Sequence, residues 1–350
     1  MAVSSWGQSM ARFSRLETLS AMEEIGLVPV FYHADIEVAK GVVRACCEGG
    51  ARVVEFTNRG DLAYRTFAEL ADYCAKEVPK AILGVGSVVD PGTAALYINS
   101  GANFVVGPVL NPDVAKVCNR RKVPYCPGCG SASEIGMAEE LGCEIVKVFP
   151  GKEVGGPAFV RAMLGPCPWT KIMPTGGVDA TEESIAAWIN AGCACVGIGS
   201  NLITKEILAS RHFDALRAKV EQCVWWVRKA RGVPLFLGFE HAGIYPQEPA
   251  GGPAVADWYA STFPGLRKRE GVTSDFVEGQ GPGRLEVMRE PEQPKAHVAI
   301  RVSNFEEAMR VLQERGVALE EPKVRPGGRS AFLKEPDPAG HRVHILYLPK

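Results

Sequence analysis

"CEIVKVFPGK", residues 143–152, sets a lysine in the middle of an apolar, β-branched run. Read as a strand, "IVKVFP" at 145–150 is one of eight short apolar runs that recur along residues 1–232. The others are "LVPVF" (27–31), "VVEFT" (53–57), "AILGVG" (81–86), "FVVGPV" (104–109), "VPYCPG" (123–128), "KIMPTG" (171–176) and "CVGIGS" (195–200). Between them lie amphipathic segments such as "DIEVAKGVVRACCEGG" and "TEESIAAWINAG", which open on an Asp or Thr cap and end in glycine, as helices do. A further helix is expected ahead of the first strand, near residues 11–25. Strands alternating with helices predict parallel βα units, and eight of them predict an α/β fold of the (β/α)8 TIM-barrel type, compact at roughly 200 residues.

Chemistry in such a barrel gathers where the strands end, so polar residues late in the runs are the candidates. Glu55 and Arg59 follow "VV" in the second unit, Ser87 ends the third, Pro127 and Gly128 end the fifth, Lys147 lies in the sixth and Thr175 ends the seventh. Lysine is seldom fully buried, and a barrel interior disfavours its charged form. A neutral amine is the nucleophile that attacks a ketone carbonyl to form a Schiff base. The alternative is an outward Lys147 paired with Glu144 or Glu153. Glu55, also in an apolar run, suits proton transfer beside such a lysine; its alternative is a core carboxylate paired with an arginine. The loops "PTGGVDATEES" and "GIGSNL" follow the seventh and eighth runs, where glycines free backbone N–H groups for a phosphate, with Gly176, Gly177, Gly199 and Ser200 as candidates.

Composition narrows the partners. With 46% hydrophobic and 23% charged residues the chain is globular, and 350 residues suggest two domains. A formal net charge of -1 supplies no basic excess for nucleic acid or an anionic membrane. No apolar run approaches the roughly 18 residues of a membrane span, and the N-terminal segment lacks a signal peptide's apolar stretch. The expectation is a cytoplasmic protein acting on small molecules. All eleven cysteines fall at or before Cys223, an uneven distribution that itself suggests two modules. "CPGC" at 126–129 has CxxC spacing without the second pair or nearby histidine of a zinc site, so buried or loop thiols are expected, with a redox pair as the alternative.

Taken in order, "VVEFTNRG", "GVGSV", "VPYCPGCGSASE", "VKVFPG", "MPTGGV" and "VGIGSNL" resemble the class I aldolases that cleave 2-keto-3-deoxy-6-phosphogluconate, grouped with 4-hydroxy-2-oxoglutarate aldolase. The resemblance implies a Schiff-base lysine at Lys147 and an acid/base glutamate at Glu55. It also implies carboxylate and hydroxyl contacts from Arg59, Ser87, Pro108 and Phe149, and substrate contact from Thr175. A homotrimer, reversible cleavage to pyruvate and glyceraldehyde 3-phosphate, and no metal requirement are implied as well. Two departures stand out: "EFTNRG" where the family writes a segment like "EVTLR", and "CPGCGSASE" where it commonly has a threonine after Pro-Gly. These bear on the aldehyde accepted and its stereochemistry.

After "WWVRKARGVP" cysteine vanishes and proline becomes frequent, so a second domain is expected over 233–350. "GFEHAGIYPQEP" and "KAHVAIRVSNFEEAMRVLQERGV" each open on a histidine-bearing strand, and "GRLEVMRE" and "GHRVHILYL" close the two halves, an internal repeat of about 55 residues. His241 precedes Glu286 by 45 residues and His297 precedes His344 by 47. The pattern resembles the vicinal oxygen chelate family, relatives of glyoxalase and the extradiol dioxygenases. That implies a smaller α+β domain of paired βαβββ modules with a divalent metal held by His241, Glu286, His297 and His344. His344 stands where that family typically has glutamate. Singly, each of the four also reads as an ordinary strand residue.

The leading functional expectation is an aldolase acting on a 2-keto-3-deoxy sugar acid or its phosphate, such as 2-keto-3-deoxy-6-phosphogluconate, fused to a module handling a related α-oxo acid, with 4-hydroxy-2-oxoglutarate as the alternative substrate. Two other readings concern the second domain: a metal-dependent isomerase, lyase or oxygenase step, or a non-catalytic module that binds a sugar acid.

Overall fold

The computed structural model describes residues 11–281, 283–291, 296–325 and 327–348. Two compact units divide the chain, Met1–Gly232 and Val233–Lys350.

In the first unit the parallel strands are β1 Leu27–Phe31, β2 Val53–Thr57, β3 Ile82–Gly86, β4 Val105–Val106, β5 Tyr125–Cys126, β6 Gly128–Cys129, β7 Val146–Val148, β8 Ile172–Pro174 and β9 Val196–Ile198. Every residue of these strands is buried, which is why they read as continuous apolar runs rather than alternating ones. One sheet runs β5-β4-β3-β2-β1-β9 and a shorter one β6-β7-β8. The "VPYCPG" run is broken at Pro127 into β5 and β6, since proline cannot donate to a ladder. Thr175, one residue past β8, bridges Gly197 of β9, so the parallel strands curl round a common interior.

Polar caps start the helices where the strands end. Asp35, Asp90, Asn111, Ser131 and Thr181 each accept a hydrogen bond from a backbone N–H in the first turn of the helix that follows. The lead-in helix Arg15–Ile25 is closed by a reciprocal Ser14–Glu17 capping box. Among the described residues no helix is long and apolar enough to cross a membrane.

The second unit is one eight-stranded sheet. Its strands are β10 Phe236–Ile244, β11 Arg267–Arg269, β12 Ser274–Glu278, β13 Arg284–Met288, β14 Ala296–Val302, β15 Lys323–Arg325, β16 Gly328–Phe332 and β17 Arg342–Tyr347, in the order β11-β12-β13-β10-β14-β17-β16-β15. A helix follows the first strand of each half, Gly252–Thr262 after β10 and Phe305–Glu314 after β14, and β10 and β14 meet antiparallel at the centre. The first of these helices has no clear apolar stripe in the sequence. Period-two alternation divides the sheet's residues. Val277, Val287, Ala331, Ile345 and Tyr347 are buried in two small cores, one for each half. Glu286 and His344, next to Val287 and Ile345, point to the other face, and strand register puts His241 and His297 there with them.

Candidate active site and metal centre

Lys147, the middle residue of β7, is 6% exposed, and its Nζ lies 4.0 Å from Glu55 Oε1. Glu55 sits on β2, opposite Val30 of β1 and Gly84 of β3. The outward alternative for Lys147 is not what the fold does: Glu144 is taken by Arg15 at 2.8 Å. Nor does an arginine hold Glu55, whose only ion-pair partner among the described residues is Lys147. The ammonium also stands 5.1 Å from the centre of the Phe149 ring.

Glu55 Oε2, Thr57 Oγ1 and Thr175 Oγ1 are all buried without a hydrogen-bond partner. Buried polar groups are normally satisfied, so three orphans, one of them on the carboxylate paired with Lys147, mark a chamber arranged for something other than stability. Two strand glycines make the room. A Cβ on Gly86 would fall 1.8 Å from Glu55 Oε1, and one on Gly197 2.5 Å from Thr175 Oγ1. An isolated glycine in a strand run marks such a close approach, and that signal was present in "GVG" and "VGIG".

A cavity of about 420 Å³ opens beside this chamber, lined among others by Arg59, Phe149, Thr175, Gly176, Gly177, Gly199 and Ser200. Neither Lys147 nor Glu55 lines it; Phe149, whose ring Lys147 approaches, does. Ser87 lies outside it but reaches Arg59 Nε at 3.4 Å, and Pro108 lies outside it beside Gly128, whose added Cβ would meet the Pro108 carbonyl oxygen at 2.0 Å. Gly176 and Gly177 adopt φ of +85° and +73°, so glycine is required for that turn. Asn201 ties the two glycine loops together, donating to Asp179 Oδ1 at 2.6 Å. Tyr32, Asn201 and Lys205 also line the cavity and were not singled out from sequence.

The "CPGC" thiols take no part. Burial pushes Cys126 well above the ordinary thiol range and Cys129 up to about 12, and all eleven cysteines are free. Since the thiolate is the reactive form, neither suits redox chemistry. Treating the native protein with an aromatic disulfide reagent at pH 8 is expected to label half-buried Cys167 first, and all eleven thiols only on unfolding. Fast labelling of Cys126 or Cys129 would restore the redox reading.

In the second unit the three candidate histidines converge, and Glu286 joins two of them. Gly243 of β10 is in register with both Glu286 of β13 and His297 of β14, while Ala299 of β14 is in register with His241 and His344. One donor nitrogen from each of His241, His297 and His344 lies within 4.8 Å of the others. Glu286 Oε2 is 3.0 Å from His241 Nε2 and 3.2 Å from His297 Nε2. Both nitrogens of buried His344 lack a partner. A Cβ on Gly243 would strike the His297 ring at 1.8 Å, so glycine here is what lets the imidazole lie over the strand.

Electrostatics follow the packing. Burial lowers the His344 pKa to about 3, helped by its two histidine neighbours, so the ring is neutral. Burial would raise Glu286, but hydrogen bonds from His241, His297 and Ser274 outweigh it and hold the carboxyl well below its ordinary range. Burial likewise works against protonated His241, yet Glu240 and Glu286 raise it. Glu240, bonded to His241 Nδ1 and to Arg284 at 2.6 Å, fixes that ring's orientation. It was missed from sequence, although a charged residue directly before a strand histidine was the available sign.

Curled parallel strands around a polar chamber define a barrel-type α/β protein in residues 1–232. The family model for KDPG and KHG aldolase matches residues 19–219, and the chain belongs to that family. It is 32% identical to the 2-dehydro-3-deoxy-phosphogluconate aldolase of Treponema pallidum over 202 residues, 58% of this chain and 93% of that protein. To the KHG/KDPG aldolase of Escherichia coli it is 29% identical over 198 residues, 57% of this chain and 90% of that one. A solved structure of the 2-keto-3-deoxy-6-phosphogluconate aldolase of Zymomonas mobilis with 3-phosphoglycerate superposes with a TM-score of 0.51 at 27% identity, covering 59% of this chain and 96% of that one.

Proposed function

We propose that the first unit is a class I aldolase that cleaves a 2-keto-3-deoxy sugar acid phosphate reversibly to pyruvate and an aldehyde such as glyceraldehyde 3-phosphate. The juxtaposition of buried Lys147 and Glu55, 4.0 Å apart and without other ion-pair partners among the described residues, carries this reading. Lys147 Nζ attacks the C2 ketone and expels water as an iminium forms. Glu55 moves protons in that dehydration and then takes the C4 hydroxyl proton as the C3–C4 bond breaks. The iminium accepts the electron pair, leaving an enamine; protonation at C3 and hydrolysis release pyruvate and free lysine. The protonated imine is the electron sink, so this cleavage draws on no metal. Arg59 orients the substrate carboxylate, Ser87, Pro108, Phe149 and Thr175 shape the space beside it, and Gly176, Gly177, Gly199 and Ser200 receive the distal phosphate. The 3-phosphoglycerate in the Zymomonas protein's structure supports a phosphate-bearing substrate.

The fold reading accompanies it: the curled sheet is a (β/α)8 barrel, with β5 and β6 as one interrupted strand and the Thr175–Gly197 bridge as its closure. A cytoplasmic homotrimer belongs to the same proposal. Pyruvate release by the full chain from 2-keto-3-deoxy-6-phosphogluconate is the test. Release from 4-hydroxy-2-oxoglutarate alone would move the assignment to the alternative substrate, and release from neither would overturn it.

For the second unit we propose a vicinal oxygen chelate module with one divalent metal held by His241, Glu286, His297 and His344. The unpartnered nitrogens of buried His344, beside two further histidines, favour it over a purely structural cluster. Three imidazoles and a carboxylate suit zinc, iron, nickel or cobalt better than calcium or magnesium. Bound there, the metal would act as a Lewis acid on a chelated substrate. Equilibrium dialysis with Co²⁺ tests the site. Gly243→Ala is expected to weaken uptake at least about tenfold by displacing His297, while pyruvate release by the barrel is unchanged. Equal uptake by both proteins would count against these ligands.

A further inference from the structure

Two cavities, of about 220 and 190 Å³, flank the histidine cluster, and both are lined by Lys323 and Arg325 of β15. All three residues of β15 are exposed, and Val324, between the two cations, lines neither cavity. The register explains the placement. Lys323 lies opposite Ser330 and Arg325 opposite Gly328, while Phe332, on the same face of β16 as Ser330, lies opposite His344. Lys323 and His344 therefore share one face, two strands apart, or roughly 10 Å at the usual strand spacing.

These two cations differ from the other charges around them. Arg284, Arg329 and Arg342 are bound by Glu240, Glu306 and Glu320 at 2.6, 2.8 and 2.7 Å. Neither Lys323 nor Arg325 has a carboxylate partner among the described residues, and Glu286 is the one acidic side chain among those lining either cavity. A lysine on an edge strand can serve only to discourage pairing with another chain. Position 324 would serve that end equally, yet both cations stand on the cleft side. A divalent ion held by three imidazole donors and the single carboxylate of Glu286 would keep positive charge, and Arg325 and Lys323, whose Nζ stands 5.8 Å from the centre of the Phe332 ring, add to it. Such a cleft favours an anion.

The two cavities share Glu286, Lys323, Arg325, Ser330 and His344, and each is of a size to take a small acid. Resting on the metal reading above, we propose that the second unit binds a small 2-oxo or 2-hydroxy acid. The ligand's carboxylate faces Lys323 and Arg325, and its adjacent oxygen reaches the metal.

The experiment uses the full chain carrying Lys147→Ala, so that pyruvate cannot be held covalently in the barrel, loaded with Co²⁺. The visible absorption of the cobalt is titrated with pyruvate and, in parallel, with 2,3-butanedione, which offers two adjacent oxygens without charge. Pyruvate should perturb the spectrum, bind more tightly than the dione, and lose at least about tenfold in affinity when Lys323→Met and Arg325→Met are added, since charge-assisted hydrogen bonds are worth that much. The dione should bind both proteins alike. Absence of Co²⁺ uptake would overturn the metal reading and this inference together. Normal uptake would leave the metal reading standing and overturn the inference alone in any of three cases: no spectral response to pyruvate, a response unchanged in the double variant, or a dione that binds as tightly.

Discussion

Lys147→Ala is expected to lower aldol cleavage by at least about 10⁴-fold and to abolish the mass increment left by borohydride reduction in the presence of pyruvate. Alanine removes the only atom that can form the imine, and the loss of a covalent nucleophile is among the largest single-residue effects known in enzymes. The substitution also leaves a cavity in β7 and an unpaired Glu55 beside it. A stability loss is therefore expected as well, and a melting curve must accompany the assay. The mass measurement separates the two effects, because a folded protein with a working barrel but no amine gives no adduct at this position. A pyruvate-sized adduct on the alanine variant would remove Lys147 from its role, and with it the proposed mechanism of the barrel.

Glu55→Gln is expected to behave differently. Glutamine keeps the shape against Gly86 but cannot take up a proton, so turnover should fall by about 10²- to 10⁴-fold, the usual contribution of a positioned acid or base. Borohydride trapping of pyruvate on Lys147 should survive, at a reduced rate, since the amine is still present. A purely structural Glu55 would give the opposite pattern: lowered thermal stability with turnover per folded molecule intact. Loss of adduct and turnover in equal measure would instead assign Glu55 to lysine activation rather than to proton transfer during cleavage.

Much of this architecture could be read from the amino acids. The eight apolar runs, the Asp and Thr caps and the glycine stops of the first unit all coincide with elements of the structure, because strands buried on both faces leave an unambiguous pattern. Lys147 was conspicuous for the same reason: a charge in a wholly apolar run has few explanations. The neighbours that make it usable were harder to see. Gly86 and Gly197 look like any strand glycine until the chain brings a carboxylate and a hydroxyl to their missing side chains. In the second unit the repeat and its histidines were legible, whereas the helix Gly252–Thr262 was not, since its apolar residues form no stripe and "GGPA" reads as loop. Lys323 and Arg325 were overlooked altogether. In sequence, "PKVRPGG" is a charged turn, and only strand register shows that its two cations stand on the histidine side.

The ligands proposed for the second unit are divided evenly between its halves: His241 and Glu286 come from the first, His297 and His344 from the second. Each half has its own small core, yet each carries only two of the four proposed donors. On that proposal, a solitary half would complete the donor set only by pairing with a second copy of itself. Two unlike halves in one polypeptide allow Glu286 in one and His344 in the other, an asymmetry that a symmetric pair of identical chains could not adopt.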